Sequence, residues 1–180
     1  MLLLYGIIVA DSSLNTDDYR AVERTFQTIV QVSGRAGREK ERGRVLIQTY
    51  NPDSYAITDA KNQDYDKFYE TEINLRKMLK YPPFCDIILI RFSGENVNEI
   101  EKFSKEVYQN LKKHINPKNS AIYKPVPAPV DRIKNKYRWR IIIKGKVNNS
   151  MIDSINMALE ETKIYKNTTI SVNINPSNMN

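Results

Sequence analysis

Two adjacent prolines, Pro82 and Pro83, place the strongest constraint on how this chain can fold. Proline lacks a backbone N–H and clashes with the preceding helical turn, so neither a helix nor a central strand can run through the pair. A chain of 180 residues is long enough for two small domains. We therefore predict a first domain at residues 1–62, a linking helix at 63–81 and a second domain at 82–180.

The excess positive charge of the chain lies in one short segment. The formal net charge is +7, yet residues 1–62 contain eight basic and eight acidic residues. Residues 124–146 contain eight basic residues and a single acidic one, Asp131. A surplus concentrated in this way is typical of a surface that binds a polyanion, whereas scattered charge would mainly serve solubility.

Composition excludes several classes of protein. Charged residues make up 27% of the chain, and no apolar run reaches the roughly 18 residues that a membrane-spanning helix needs. One cysteine, Cys85, and one histidine, His114, cannot form an internal disulfide or a Cys/His zinc cluster. Residues 1–10 are apolar but lack the basic segment with which an export signal begins. This run therefore predicts a buried strand. We expect a cytoplasmic chain with no bound metal and no membrane partner.

The first part of the chain alternates between strand and helix patterns. Its predicted elements are a strand at 3–10, a helix that begins at the polar segment 15–18, a strand at 45–50 and a helix at 65–79. Asp17 and Asp18 are interpreted as favourable charges at the start of a helix, not as a metal pair. Gly34 and Gly37 are expected to break the first helix.

The second part predicts the order β-α-β-β-α-β, which is the ferredoxin-like α+β fold. Its predicted elements are strands at 86–93, near 122, at 137–144 and at 169–174, and helices capped by Asn96 with Glu99 and by Ser150 with Asp153. Prolines 125, 127 and 129 predict an extended connector between the second and third strands. In this fold two helices cover one face of the sheet and leave the other face open.

Alternation along residues 137–144 separates apolar from basic side chains. Trp139, Ile141 and Ile143 share one face with Tyr137, and we interpret Trp139 as a core aromatic. The opposite face carries basic residues, which Arg91 can join from the neighbouring central strand. The predicted contacts to DNA phosphates are Arg91, Arg132, Lys134, Lys136, Arg138, Arg140 and Lys144.

A glycine- and arginine-containing segment, residues 31–38, is the most specific motif in the chain. It places Arg35 and Arg38 three residues apart beside two glycines, so both guanidinium groups can approach a phosphate. Planar guanidinium forks suit the charge that spreads over a transferring phosphoryl group. The alternative is an ordinary basic helix end that interacts with the helix dipole.

Residues 31–38 resemble motif VI of superfamily 2 helicases, and other segments resemble the PriA family of primosomal replication-restart helicases. The segments that carry this resemblance are 10–14, 18–24, 48–52, 81–84, 127–129 and 137–139. The resemblance implies a remnant of a RecA-like helicase lobe followed by a domain similar to the ribosomal S10 fold. It also implies a parent 3′-to-5′ DNA helicase that uses ATP and Mg, recognises stalled or forked DNA, and directs reloading of the replicative helicase.

Within that resemblance, the residues that would face ATP are Gln31, Gly34, Arg35 and Arg38, with Arg35 and Arg38 as the catalytic pair. The possible protein partners are single-stranded DNA-binding protein and other primosome proteins. Asn173 and Asn175 stand where the family tends to have acidic residues.

The sequence lacks the motif that would hold the ATP phosphates. A P-loop needs Gly-x4-Gly-Lys-Ser/Thr, but Gly145-Lys146 is followed by Val147 and has Arg140 at the position of the earlier glycine. We therefore expect a C-terminal fragment that has no cofactor and is not an enzyme by itself.

Two other functions stay open at this point. One is a free-standing nucleic-acid-binding module of ribosomal-protein type, and the other is an adapter that binds the acidic tail of single-stranded DNA-binding protein. His114 is interpreted as a solvated residue at a helix end, and Cys85 as a small buried hydrophobe.

Overall fold

The computed structural model describes residues 4–8, 14, 17–36, 44–163 and 165–179. These residues form two compact units, 1–75 and 76–180. The elements are β1 (Leu4–Ile7), α1 (Ala21–Ala36), β2 (Arg44–Ile47), α2 (Tyr55–Asn62), α3 (Tyr65–Met78), β3 (Asp86–Gly94), α4 (Val97–His114), β4 (Ser120–Ile122), β5 (Val126–Ile133), β6 (Lys136–Gly145), α5 (Asn149–Glu160) and β7 (Thr168–Ile174). Among the described helices, none is both long and apolar enough to cross a bilayer.

Unit 1 is built on a parallel pair of strands. β1 and β2 pair in parallel, and each is shorter than the predicted strand. The core consists mainly of side chains from α1, α2 and α3, and it includes a stacked pair of rings, Phe26 and Phe68, whose centroids are 4.0 Å apart. The helix predicted at 65–79 is confirmed as α3, whereas α2 was not predicted. Its buried residues are Ala56, Ile57, Asp59 and Ala60, and a face with only one large apolar side chain gives little apolar signal.

Helix α1 begins later than predicted, at Ala21. Just before it, the Asp18 carboxylate accepts a hydrogen bond from the Arg20 backbone N–H at 3.0 Å and forms an ion pair with Arg24. The interpretation of Asp18 as a charge at the helix start is therefore confirmed. Tyr19 is buried and lies in the turn before the helix.

The end of α1 differs from the prediction as well. The helix continues through Gly34 to Ala36, so the prediction that Gly34 breaks it is wrong. A single glycine costs a helix only about 1 kcal/mol relative to alanine, and burial of Ile29 and Ala36 on either side offsets that cost. Gly37 lies outside the described residues.

Unit 2 has the predicted ferredoxin-like topology. Its strands lie in the order β4-β6-β3-β7, and β5 also pairs with β6. The central strands β3 and β6 are antiparallel, with Arg91 opposite Arg140 and Phe92 opposite Trp139. Helices α4 and α5 contribute Ile100, Val107 and Ile155, among others, to one hydrophobic core with the sheet. Both helices therefore lie on one face.

The two helices of unit 2 begin at asparagines. The side chain of Asn96 accepts hydrogen bonds from the backbone N–H groups of Asn98 and Glu99, which confirms the predicted cap of α4. The cap of α5 is Asn148, not Ser150, and its side chain accepts from Met151 N at 2.9 Å. On the first turn of α5, Met151 is buried, whereas Ile152 is 38% exposed.

The proline-rich segment is a strand, not only a connector. β5 contains Pro127 and Pro129 and pairs antiparallel with β6, with a register shift between Pro127 and Arg132. Prolines are tolerated there because β5 lies at the edge of the sheet. Lys134 and Asn135, at φ 49° and 61°, form the two-residue turn that joins β5 to β6.

Candidate nucleic-acid interface

Three of the predicted ATP-facing residues lie together at the end of α1. Gln31 and Arg35 are one helical turn apart, and with Gly34 they line a surface depression of about 410 Å³. All three are exposed, and a Cβ added at Gly34 would meet no atom within 4 Å. An anion can therefore approach this surface between Gln31 and Arg35. Arg38 lies outside the described residues.

The seven predicted DNA contacts differ in accessibility. Arg132, Lys134 and Lys136 are exposed, Arg91, Arg138 and Lys144 are half-buried, and Arg140 is buried. The three exposed residues belong to the β5–β6 hairpin. The Arg132 guanidinium lies over the Tyr137 ring, 5.1 Å from its centroid, which fixes the direction in which this charge points.

Arg91, Arg138 and Arg140 form a second basic group on the central strands. Burial is the main cause of the lowered pKa of Arg91, and the positive charges of Arg138 and Arg140 lower it further. Arg91 Nη2 donates to the carbonyl oxygen of Asn178 at 2.7 Å, and Arg138 Nη1 donates to that of Val130 at 3.4 Å. These backbone acceptors hold the guanidinium groups close together despite their like charges.

The prediction that Arg140 lies on an uncovered face is wrong. Only 4% of Arg140 is exposed, and its Nη1 donates to the carbonyl oxygen of Met179 at 3.0 Å. Met179 is itself only 3% exposed. The segment after β7 therefore covers this part of the sheet, because its carbonyl groups satisfy guanidinium donors that would otherwise face water. In that segment, Pro176 is followed by polar residues and a single apolar one, Met179, which forms no pattern that would predict this packing.

Lys144 lies at the other end of β6, in a cavity that sequence reasoning missed. Its ammonium group donates to the carbonyl oxygen of Leu79 at 3.1 Å and lies 3.5 Å from the centroid of the Tyr81 ring. Burial lowers the pKa of Lys144. The cavity has a volume of about 610 Å³ and is lined by residues from the segment before β3, the loop before β4 and the end of β6. These segments meet only in the folded sheet.

Three other residues that the sequence singled out, Trp139, His114 and Cys85, make structural contacts. Trp139 packs against the hydrophobic core, as predicted. His114 does end α4, but it is not simply solvated, because its Nε2 lies 2.8 Å from Glu161 Oε1. Cys85 is half-buried, and its thiol donates to the Lys80 carbonyl oxygen at 3.0 Å; burial is the main cause of its raised pKa.

Asn175 has a structural role at the end of β7. Its side-chain oxygen accepts from Ile87 N at 2.9 Å, and its amide donates to Asp86 Oδ1 at 2.8 Å. The hydrogen bond from Asn175 is the main cause of the lowered pKa of Asp86, and the hydrogen bond from Val147 N lowers it further. Among the described residues, no cluster of three His, Cys, Asp or Glu side chains can hold a metal ion.

Comparison with known proteins shows that the chain is similar to one family. Residues 77–177 match the family model described as the primosomal protein N C-terminal domain. Replication restart protein PriA from Synechocystis sp. is 44% identical over 143 residues, which are 79% of this chain and 17% of that protein. The proteins of the same name from Bacillus subtilis and Borreliella burgdorferi are 36% and 34% identical, over 96% and 95% of this chain. The chain spans 22% and 26% of their lengths.

Proposed function

Since this chain belongs to the family of primosomal protein N C-terminal domains, we propose that it binds DNA through phosphate contacts during replication restart. Its relatives named replication restart protein PriA support that role. The partner is branched or forked DNA, and the contact surface is the basic side of unit 2. Because phosphates are present in every sequence, base identity has little influence on this binding.

The observation that carries the proposal is the β5–β6 hairpin. It presents Arg132, Lys134 and Lys136 to solvent with one acidic neighbour, Asp131, and Arg138 follows on β6. The hairpin turn and the pairing with β6 fix the backbone of these residues. Cations held on an ordered backbone lose little backbone entropy when they bind phosphates, although their side chains still become ordered.

A second part of the proposal concerns the end of α1. In the full-length helicase, Gln31 and Arg35 would contact ATP, Gly34 would permit close approach, and Arg38 would join them. ATP and Mg would be held mainly by parts of the parent protein with a P-loop, which this sequence does not contain. The support is the open surface at Gln31, Gly34 and Arg35. We therefore expect the purified chain to hydrolyse ATP in the presence of DNA no faster than an Arg35→Ala variant that is purified in parallel.

Fluorescence anisotropy on forked, duplex and single-stranded DNA at several salt concentrations tests the DNA contact. The triple variant Arg132→Ala, Lys134→Ala, Lys136→Ala should flatten the slope of log affinity against log salt by about two to three. The matched control replaces Lys102, Lys105 and Lys112 on α4, which removes the same charge from exposed positions on the helical side.

An equal loss in both triple variants would contradict a specific contact surface, because only net charge would then matter. Absence of DNA binding at low salt would contradict the proposal as a whole. If the chain then bound the acidic tail of single-stranded DNA-binding protein, the adapter hypothesis would be favoured.

A further inference from the structure

The Lys144 cavity, described above, has a strong excess of positive charge. Its lining includes Lys80, Lys118, Lys144 and Lys146, against one carboxylate, that of Asp86. Both oxygens of that carboxylate are already engaged, one by the Asn175 amide and the other by Val147 N. That carboxylate keeps its charge and interacts with Lys146, so it offsets only one of the four lysines and leaves the cavity with a net positive charge.

Lys144 is the most constrained of these cations. It is half-buried, and within the described residues no carboxylate lies within 4 Å of its ammonium group. A carbonyl oxygen and the rings of Tyr81 and Tyr123, with centroids at 3.5 and 5.7 Å, hold it in place. A partly desolvated cation without a counter-charge gains more from a bound anion than a fully solvated one does.

Aromatic rings lie at the same cavity. Phe84 and Tyr123 line it and are 46% and 48% exposed, which is high for large aromatic side chains. Their backbones are fixed, since Phe84 N donates to Tyr81 O and Tyr123 N donates to Ile142 O. Exposed rings beside lysines are typical of sites where bases of single-stranded nucleic acid stack and phosphates pair with cations.

We propose that this cavity binds one unpaired nucleotide of a DNA strand. Lys144 and the neighbouring lysines contact its phosphate, and its base stacks on Phe84 or Tyr123. A base inside a duplex is already stacked and paired, so the cavity selects a single strand or a flipped nucleotide. This inference rests on the proposed DNA binding and adds to it a site that discriminates between strand types.

The cavity and the hairpin cations lie on the same sheet. Lys144 and Arg138 are on the same face of β6, six residues and about 20 Å apart at ordinary strand rise. Because the segment after β7 covers Arg140 between them, a strand that contacts both surfaces must pass over that segment. The two surfaces then act on one DNA strand: the cavity selects its unpaired state, and the hairpin adds sequence-independent affinity.

Ring-retaining and ring-removing substitutions test the stacking part. Phe84→Leu with Tyr123→Leu keeps apolar volume but removes both rings, and should weaken binding of a fluorescent thymidine dodecamer about tenfold. Phe84→Tyr with Tyr123→Phe keeps both rings and should bind like the parent chain. Affinity for a blunt duplex should stay unchanged in both. Equal affinity of the Leu and ring-retaining variants for the dodecamer would overturn the stacking site.

The phosphate part is tested by Lys144→Met, with Lys102→Met on α4 as the control. Loss of one phosphate contact to a single strand should lower the salt slope by about 0.7, and the control should leave it unchanged. Circular dichroism establishes that each variant is folded. A folded Lys144→Met chain with the parental slope would overturn the assignment of the phosphate to this cavity.

Lysine acylation read by mass spectrometry tests the site without any substitution. The dodecamer should protect Lys144 and Lys118 of the unaltered chain, the duplex should not, and Lys102 should react equally in all samples. Protection by an acidic peptide but not by the dodecamer would overturn the proposal in favour of a peptide site. Binding of both DNAs without protection of Lys144 would refute only the nucleotide site in the cavity. Absence of any DNA binding would refute the proposed function as well.

Discussion

The buried guanidinium of Arg140 donates from Nη1 to the carbonyl oxygen of Met179, 3.0 Å away, and so connects a central strand to the segment that follows the last strand. Arg138, two residues earlier on the same face of β6, is half-buried and donates to Val130 O in the edge strand. Two arginines that the sequence places in equivalent positions therefore have different surroundings, and they should respond differently to substitution.

Arg140→Ala should destabilise unit 2 by about 1–3 kcal/mol, because it leaves a buried carbonyl group without its donor. Arg138→Ala should change stability by less than about 0.5 kcal/mol and should flatten the salt slope of DNA binding by about one. Urea unfolding and anisotropy titrations measure the two effects. Equal destabilisation by the two substitutions would contradict the difference in burial.

Removal of residues 177–180 should uncover Arg91 and Arg140. DNA affinity at low salt should rise, and the salt slope should steepen by about one to two, because two guanidinium groups lose backbone acceptors and gain access to phosphates. The chain should also lose stability, since the burial of Met179 disappears. A folded, truncated chain with unchanged affinity would show that these two arginines do not reach DNA.

In the longer helicase proposed above, Arg38→Ala and Arg35→Ala should each slow ATP hydrolysis by roughly a factor of a thousand or more, with a smaller effect on ATP binding. The measurement is kcat together with a separate nucleotide Kd. Lys61→Ala is the matched control, because Lys61 is also a basic residue in the last turn of a helix. Parental rates in both arginine variants would favour the simple helix-dipole interpretation.

Because of the Asp86 carboxylate, we predict that the unfolding free energy of the protein decreases in acid. Hydrogen bonds from Asn175 and Val147 N lower its folded-state pKa, so its contribution is complete above the unfolded pKa of about 3.9 and disappears as pH falls through the folded value. Unfolding free energy should therefore decrease by about 1 kcal/mol as the pH falls below about 4, after allowance for solvent screening. Asp86→Asn should remove that part of the pH dependence. An identical acid profile in the variant would exclude this role.

Much of unit 2 follows from local patterns in the sequence. The cap at Asn96 and the alternation along β6 each depend on neighbours in the chain, and both are confirmed. Two of the errors at helix ends, Gly34 and Ser150, arose where burial or a competing asparagine outweighed a local preference.

The site was harder to predict because its key contacts are distant in sequence. Arg140 meets Met179 across 39 residues, and Lys144 meets Leu79 across 65. Neither contact leaves a local pattern in the sequence. The alternation of apolar and basic residues along 137–144 therefore placed Arg140 on the solvent face. The charge surplus in residues 124–146 indicated Arg132, Lys134 and Lys136, which are exposed, but the hairpin that presents them was not predicted.

The prolines of β5 bear on how the protein behaves at high concentration. An edge strand normally offers free N–H groups to a strand of another molecule, and Val126, Val130 and Ile133 would add exposed apolar surface to such a contact. Pro127 and Pro129 cannot donate, and the register shift beside them makes the edge irregular. Sheet-to-sheet aggregation through this edge is thereby discouraged, so the hairpin beside it can remain available to a ligand when many copies of the protein are crowded together.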